Sequence, residues 1–200
     1  MQITDLKKEQ QIMPLFRLGF RPLFLFGSAF GLVAMALWGL SLQGAIEFDP
    51  YGGSYWWHGH EMLFGFVSAI IAGFLLTAVQ NWTGMPGLRG RKLVGLFLLW
   101  LVARVGLLIP QFAGSVVIAM LDIAFMPVAA YLLAKPLIAV KQTRNLFFVP
   151  VMAFFAIANA LTHVAVYTAD MSYYHYGISA VIFLVTLVMT VVGGRVMPMF

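Results

Sequence analysis

The sequence predicts an all-α membrane protein, a polytopic bundle of about six transmembrane helices. The composition supports this fold class, since hydrophobic residues make up 62% of the 200-residue chain and charged residues only 10%. A soluble domain carries about 25% charged residues, because its surface contacts water. The mean hydropathy of +0.94 agrees. A chain with so few polar side chains has to use lipid as its solvent.

Six apolar stretches approach or exceed the helix length of about 20 residues that crosses the hydrocarbon core of a bilayer. Turn-forming sequences separate them, such as Asp-Pro-Tyr-Gly-Gly after the first stretch. We therefore predict a cytoplasmic segment over residues 1–22 and one six-helix transmembrane domain over residues 23–200. The predicted spans are residues 23–42, 58–80, 93–109, 116–134, 146–167 and 177–199.

The twelve Lys and Arg residues are distributed unevenly around these spans. Eleven lie in segments that would share one side of the membrane, the segments on the other side carry none, and Arg104 falls within a span. Cytoplasmic segments are enriched in Lys and Arg, so we predict that both termini are cytoplasmic. This distribution explains the net charge of +5, so we predict no nucleic-acid partner. The eleven are Lys7, Lys8, Arg17, Arg21, Arg89, Arg91, Lys92, Lys135, Lys141, Arg144 and Arg195.

Two further features limit the chemistry and the processing of the chain. It contains no cysteine, which excludes disulfides, thiolate metal sites, iron–sulfur clusters and CxxCH haem attachment. A bound metal would be held by His, Met, carboxylate or backbone oxygen. The residues Ala34-Met35-Ala36 are similar to a signal-peptidase site. However, the apolar run continues to Leu42, which favours a retained first helix.

Ionisable side chains within the spans are candidate functional residues, because placing them in lipid is costly. At about 1.5 Å of helix rise per residue, the histidines and the charged residues of the second, third and fourth spans all fall in the outer half of the membrane. Arg104 and Asp122 lie at matching depths on consecutive antiparallel helices. We predict a structural ion pair between them. His175 falls in the outer loop before the last span, among tyrosines, and is predicted to be an interfacial residue.

The pattern His58-Gly59-His60-Glu61 is the most informative local motif. In a regular helix the two histidines project about 200° apart and cannot face one partner; a non-helical entry at Gly59 would let them converge. His58 and Glu61 share a helix face, the spacing of a metal ligand and the carboxylate that orients it. Neutral imidazole suits iron, copper and zinc.

The candidate ligands of a metal or haem are therefore His58, His60 and His163, with Glu61 as the orienting carboxylate. His163 also has a structural interpretation, as a histidine hydrogen-bonded to Asn159 one turn earlier. No set of catalytic residues is evident, and a role other than catalysis is favoured.

Four segments resemble the NnrS family of haem- and copper-containing membrane proteins. The second, which carries the histidine motif, is the most specific. The segments are PLFRLGFRP at residues 14–22, WHGHEMLFGF at residues 57–66, AGFLLTAVQNWTG at residues 72–84 and GRVMPMF at residues 194–200.

The resemblance implies a protein of the bacterial inner membrane that serves the nitric oxide response and denitrification by relieving nitrosative stress. It implies haem and copper as cofactors and nitric oxide as a small-molecule ligand. Family members are about twice as long, with roughly twelve helices. The chain is therefore expected to be an N-terminal half, with membrane lipid and the missing C-terminal half as its partners.

Two other function classes remain open at this point. One is half of a secondary transporter with an outer polar or proton-relay site, since six-helix halves are common among carriers. The other is a structural subunit, which would leave the histidine motif and its neighbours at equal depth without an explanation.

Overall fold

The computed structural model describes residues 11–112 and 114–196, and within these ranges the regular structure is entirely helical. Lys7, Lys8 and residues 197–200 of the last family-like segment lie outside the described residues. Six long helices follow one another along the chain. They are α1 (Phe20–Leu42), α2 (Gly53–Thr83), α3 (Arg91–Leu108), α4 (Val116–Ala139), α5 (Phe148–Thr168) and α6 (Met171–Val196).

The all-α membrane fold class is confirmed, because each long helix corresponds to one predicted span and the chain is a multi-pass membrane protein. Among the described residues, five helices are long and apolar enough to cross a bilayer. The exception is α3, which has 18 residues. It contains Arg91, Lys92 and Arg104, so its uninterrupted apolar run is short. This helix corresponds to the shortest of the six predicted spans, residues 93–109.

Two helices begin five or six residues earlier than predicted, because aromatic residues continue the helix beyond the apolar run. Helix α2 begins at Gly53 rather than at residue 58, and α6 begins at Met171 rather than at residue 177. His175 therefore lies on a helix and not in a loop, which corrects the prediction. Asp170 precedes α6 and accepts a hydrogen bond from the Ser172 backbone N–H at 2.9 Å. Hydrogen bonds from Ser172 lower the pKa of Asp170.

Helix α2 changes its winding in the middle of the family-like histidine segment. It is α-helical over Gly53–His60, π-helical over Glu61–Val67 and α-helical again over Ser68–Thr83. A π-helix bonds residues five apart and is frequent at functional sites. The indole N–H of Trp100 on α3 donates to the carbonyl of Gly65 at 2.9 Å. This bond ties the π-helical segment to the neighbouring helix.

The helices pack so that α2 and α4 lie inside the bundle and α1 and α6 lie at its edges. Helix α2 packs on α1 and α4, α4 also packs on α3 and α5, and α5 packs on α6. Only about a fifth of α1 and of α6 is buried, compared with more than half of α2. The bundle has a basic end, where the segments between α2 and α3 and between α4 and α5 lie. Its opposite, non-basic end contains the connections without Lys or Arg.

Candidate metal centre

Six buried polar side chains from four helices meet toward the non-basic end of the bundle. Each is at most 4% exposed to solvent. Helix α2 contributes two of them, α3 and α4 one each, and α5 two. These residues, called here the buried polar cluster, are His60, Glu61, Arg104, Asp122, Asn159 and His163.

Arg104 joins the two carboxylates of the cluster. Its Nη1 donates to Glu61 Oε2 at 2.8 Å, and its Nη2 pairs with Asp122 Oδ1. Arg104 and Asp122 are thus in contact, as their matching depths indicated. Arg104 is, however, shared between Asp122 and Glu61. The sequence did not indicate this, because the depth of Glu61 in the membrane does not determine the direction of its side chain.

Both imidazoles of the cluster direct Nε2 toward the same carboxylate oxygen. Asp122 Oδ2 lies 3.2 Å from His60 Nε2 and 3.1 Å from His163 Nε2. The Asn159 amide N–H donates to this oxygen at 2.7 Å, and the Asn159 Oδ1 lies 3.0 Å from His60 Nε2. Asn159 therefore contacts His60 and Asp122, whereas the structural interpretation of His163 had placed it against His163.

The second ring nitrogen of each imidazole, Nδ1, also lies next to an oxygen atom. His60 Nδ1 lies 3.4 Å from Glu61 Oε1, and His163 Nδ1 lies 3.1 Å from the Tyr51 hydroxyl. Tyr51 is completely buried and donates to the Tyr167 hydroxyl at 3.3 Å. Burial raises the pKa of Tyr51, so it is a neutral phenol. The Tyr51 hydroxyl can accept a hydrogen bond from a protonated His163 Nδ1 while it donates its own hydrogen to Tyr167.

Trp56 covers the ring of His60. The two rings stack at a centroid distance of 4.4 Å with 13° between their planes. The indole N–H donates to the carbonyl of Thr162 at 2.8 Å, so the ring is fixed against α5. A buried indole in this position keeps water away from one face of the imidazole.

His58 lies outside the cluster. Because residues 53–60 form a regular α-helix, its side chain points away from that of His60. Its ring stacks on Trp38 of α1 at 3.9 Å with 9° between the planes. Its Nδ1 is buried without a hydrogen-bond partner among the described residues. The expected alignment of His58 with Glu61 is corrected, since Glu61 contacts His60 at the junction with the π-helix.

His175 is exposed and contacts the ring of Tyr174 at a centroid distance of 5.6 Å. It is on α6, outside the cluster. The structure also adds Tyr51 and Trp56, which the sequence analysis did not single out. Tyr51 stood in the turn sequence of residues 49–53, and no local pattern distinguishes a turn tyrosine that points inward from one at the lipid interface.

Three of the converging side chains could hold one metal ion. One donor atom from each of His60, Asp122 and His163 lies within 4.8 Å of the other two. The two distances from Asp122 Oδ2 to the imidazole nitrogens, 3.1 and 3.2 Å, are near the roughly 3.3 Å that separates two ligand atoms in tetrahedral coordination at about 2.0 Å. A haem does not fit here, because Asp122 and Asn159 occupy the space in front of His60 Nε2 and Trp56 covers its ring.

The comparisons with known proteins agree with the motifs described above. A family model described as NnrS protein matches residues 14–200. Searches of curated proteins and of solved structures found no match. The matched region contains every residue of the buried polar cluster as well as Tyr51 and Trp56, and the chain belongs to the NnrS family.

Proposed function

We propose that this protein binds one transition-metal ion through His60, Asp122 and His163 and serves the nitric oxide response as a metal-containing membrane protein. Membership of the NnrS family supports a membrane protein of that response. Copper is the metal that the family resemblance implies. We further propose that both termini are cytoplasmic, which places the metal in the outer half of a bacterial inner membrane.

The observation that carries the proposal is the orientation of the two imidazoles. Each directs Nε2 to the same point and has its Nδ1 next to an oxygen, supplied by Glu61 for His60 and by Tyr51 for His163. Histidine ligands of metals usually donate the other ring N–H to such an oxygen, which fixes the tautomer and the orientation of the ring.

The charge of the cluster favours a cation as well. By formal charge, Glu61 and Asp122 contribute two negative charges, and Arg104 balances only one of them. A remaining negative charge in a buried site is costly unless it is paired. A bound cation next to Asp122 would supply the missing positive charge.

An ion with two imidazoles and one carboxylate has coordination positions left for a small ligand such as nitric oxide. The protein residues supply the geometry around it. Arg104 and Asn159 hold the Asp122 carboxylate, Tyr51 and Glu61 hold the imidazole rings, and Trp56 excludes water from one side. Because a haem does not fit at this cluster, we assign the haem of the family no role here.

The experiment is metal analysis of the purified full chain in neutral detergent. After loading with copper and removal of the excess, we expect about one ion per chain. His60→Ala and His163→Ala should each reduce the bound metal at least tenfold, since each removes one of three ligands. The Cu(II) electron paramagnetic resonance spectrum should show coupling to two nitrogens, and to one in either variant.

The controls are His58→Ala and His175→Ala, which remove a histidine outside the cluster and should retain the metal and the spectrum. Circular dichroism identifies variants that fail to fold. Full metal content in both cluster variants, or equal losses in all four, would refute the assignment of the site.

The transporter alternative is supported by one observation. A chain of polar contacts runs from Tyr167, 47% exposed, through Tyr51 and His163 to Asp122. Such chains conduct protons in carriers. Proteoliposomes with a pH-sensitive dye separate the two functions, since a metal protein without transport activity leaves an imposed pH gradient unchanged.

A further inference from the structure

A cavity of about 760 Å³ lies at the basic end of the bundle. It opens between the end of α2, the start of α3 and the last turns of α4. Leu76 on α2 lines it and is 16 residues beyond His60, which corresponds to roughly 24 Å along the helix. The cavity is therefore separate from the candidate metal centre. Its volume is within the range of about 300–1,000 Å³ that small-molecule sites occupy.

The lining of the cavity has an apolar and a basic part. Leu88, Val94 and Leu132, each partly exposed, form part of the apolar wall, and Arg91, Lys92 and Lys135 carry positive charge at its edge. The three basic side chains are exposed. None of the described residues that line the cavity is acidic.

The start of α3 increases the positive potential of this edge. The N-terminus of a helix carries partial positive charge, which favours acidic residues in the first turn. In α3 the first turn contains no acidic residue and begins with Arg91 and Lys92. The N-cap residue Gly90 has no side chain that could accept a hydrogen bond from the free backbone N–H groups of the first turn. An anion at this position would accept hydrogen bonds from those N–H groups and balance the charges of Arg91 and Lys92.

We propose that this cavity binds an anionic phospholipid from the membrane leaflet at the basic end. The phosphate would lie at Arg91, Lys92 and Lys135, and an acyl chain would occupy the apolar wall. Basic pockets between transmembrane helices on the cytoplasmic side bind anionic lipid headgroups. The tendency of cytoplasmic segments to be basic explains the number of charges at this end, but not their position at the edge of an apolar cavity.

The experiment measures lipid binding to the full chain in neutral detergent by native mass spectrometry. The probes are phosphatidylglycerol, phosphatidylcholine and inorganic phosphate. We expect phosphatidylglycerol to bind most tightly. Arg91→Gln/Lys92→Gln should weaken it about 30-fold at low salt, at about 1 kcal/mol per basic residue. Leu132→Trp, which fills part of the apolar wall without changing charge, should weaken phosphatidylglycerol as well.

The matched control is Lys141→Gln/Arg144→Gln, which removes two charges at the same end of the bundle but outside this cavity. It should bind phosphatidylglycerol like the unmodified chain, and circular dichroism checks that each variant is folded. If the two double variants weakened phosphatidylglycerol binding equally, the proposal would be overturned in favour of a general attraction of the lipid to the basic surface. Binding of inorganic phosphate as tight as that of the lipid, or unchanged lipid binding in Leu132→Trp, would overturn it too.

Discussion

Arg104 is the side chain on which both buried carboxylates of the cluster depend. It contacts Glu61 and Asp122 at once and is 2% exposed. Removing one partner of a buried ion pair leaves an uncompensated charge. Because Arg104 is shared, its loss and the loss of Asp122 have different consequences. Loss of Arg104 leaves two carboxylates without a cation, whereas loss of Asp122 leaves the pair between Glu61 and Arg104 intact.

We therefore expect Arg104→Ala to destabilise the protein by about 3–5 kcal/mol, and Asp122→Ala to destabilise it less. The double variant should recover part of the loss seen in Arg104→Ala, because only Glu61 then lacks a cation. Denaturant unfolding in a fixed detergent measures the three values. Strictly additive losses would contradict a direct interaction between the two residues.

Tyr51 has a separate role, since it contacts the imidazole of His163 from outside the cluster. Tyr51→Phe keeps the ring and removes the hydroxyl next to Nδ1. Loss of such a partner typically lowers metal affinity 10–100-fold, which a competition titration with a chelator would measure. Tyr167→Phe is the matched control and should have a smaller effect, because Tyr167 contacts Tyr51 and not the imidazole. An unchanged affinity in Tyr51→Phe would mean that packing alone holds the ring.

At the scale of the element, the π-helical segment of α2 brings Glu61 and Gly65 against α3. A Cβ atom added at Gly65 would lie 2.5 Å from Glu61 Oε2, 2.8 Å from Arg104 Nη1 and 2.9 Å from a ring carbon of Phe30. The absence of a side chain at this position is what allows Arg104 to reach Glu61 across the helix surface.

Gly65→Ala should consequently displace the ion pair and destabilise the protein by about 1–3 kcal/mol, the usual cost of overpacking. Gly95→Ala on α3 is the control. Apart from the chain neighbours and the nearby backbone of the helix itself, no atom lies within 4 Å of a Cβ added there, and alanine is the better helix former by up to about 1 kcal/mol. Thermal unfolding compares the two variants. Equal stability of both would mean that the segment around Gly65 can move without cost.

At the scale of the whole molecule, the distribution of charge between the two ends predicts the orientation in the membrane. Reporter fusions at Gly84 and Arg144, both at the basic end, should report the cytoplasm, since positively charged loops stay on that side. Fusions at Gly53 and Asp170 should report the opposite side. A cytoplasmic signal at Asp170 would reverse the orientation and place the buried polar cluster in the inner half of the membrane.

The fold class and the approximate positions of the helices were determined by the sequence itself. Lipid cannot satisfy free backbone groups, so an apolar run of sufficient length has to be helical. Counting residues along each helix also placed Glu61, Arg104, Asp122 and His163 at similar depths. The family resemblance, confirmed over residues 14–200, depends on linear motifs and needs no coordinates.

Only the tertiary structure decided which of these side chains meet. Depth follows from the position along a helix, but direction follows from the rotation of the helix against its neighbours, which packing determines. The structure therefore pairs Glu61 with His60 at the start of a π-helix and brings Tyr51 in from a loop. No local pattern contains this information, because each contact joins residues that are distant in the chain or depends on a change of helical winding.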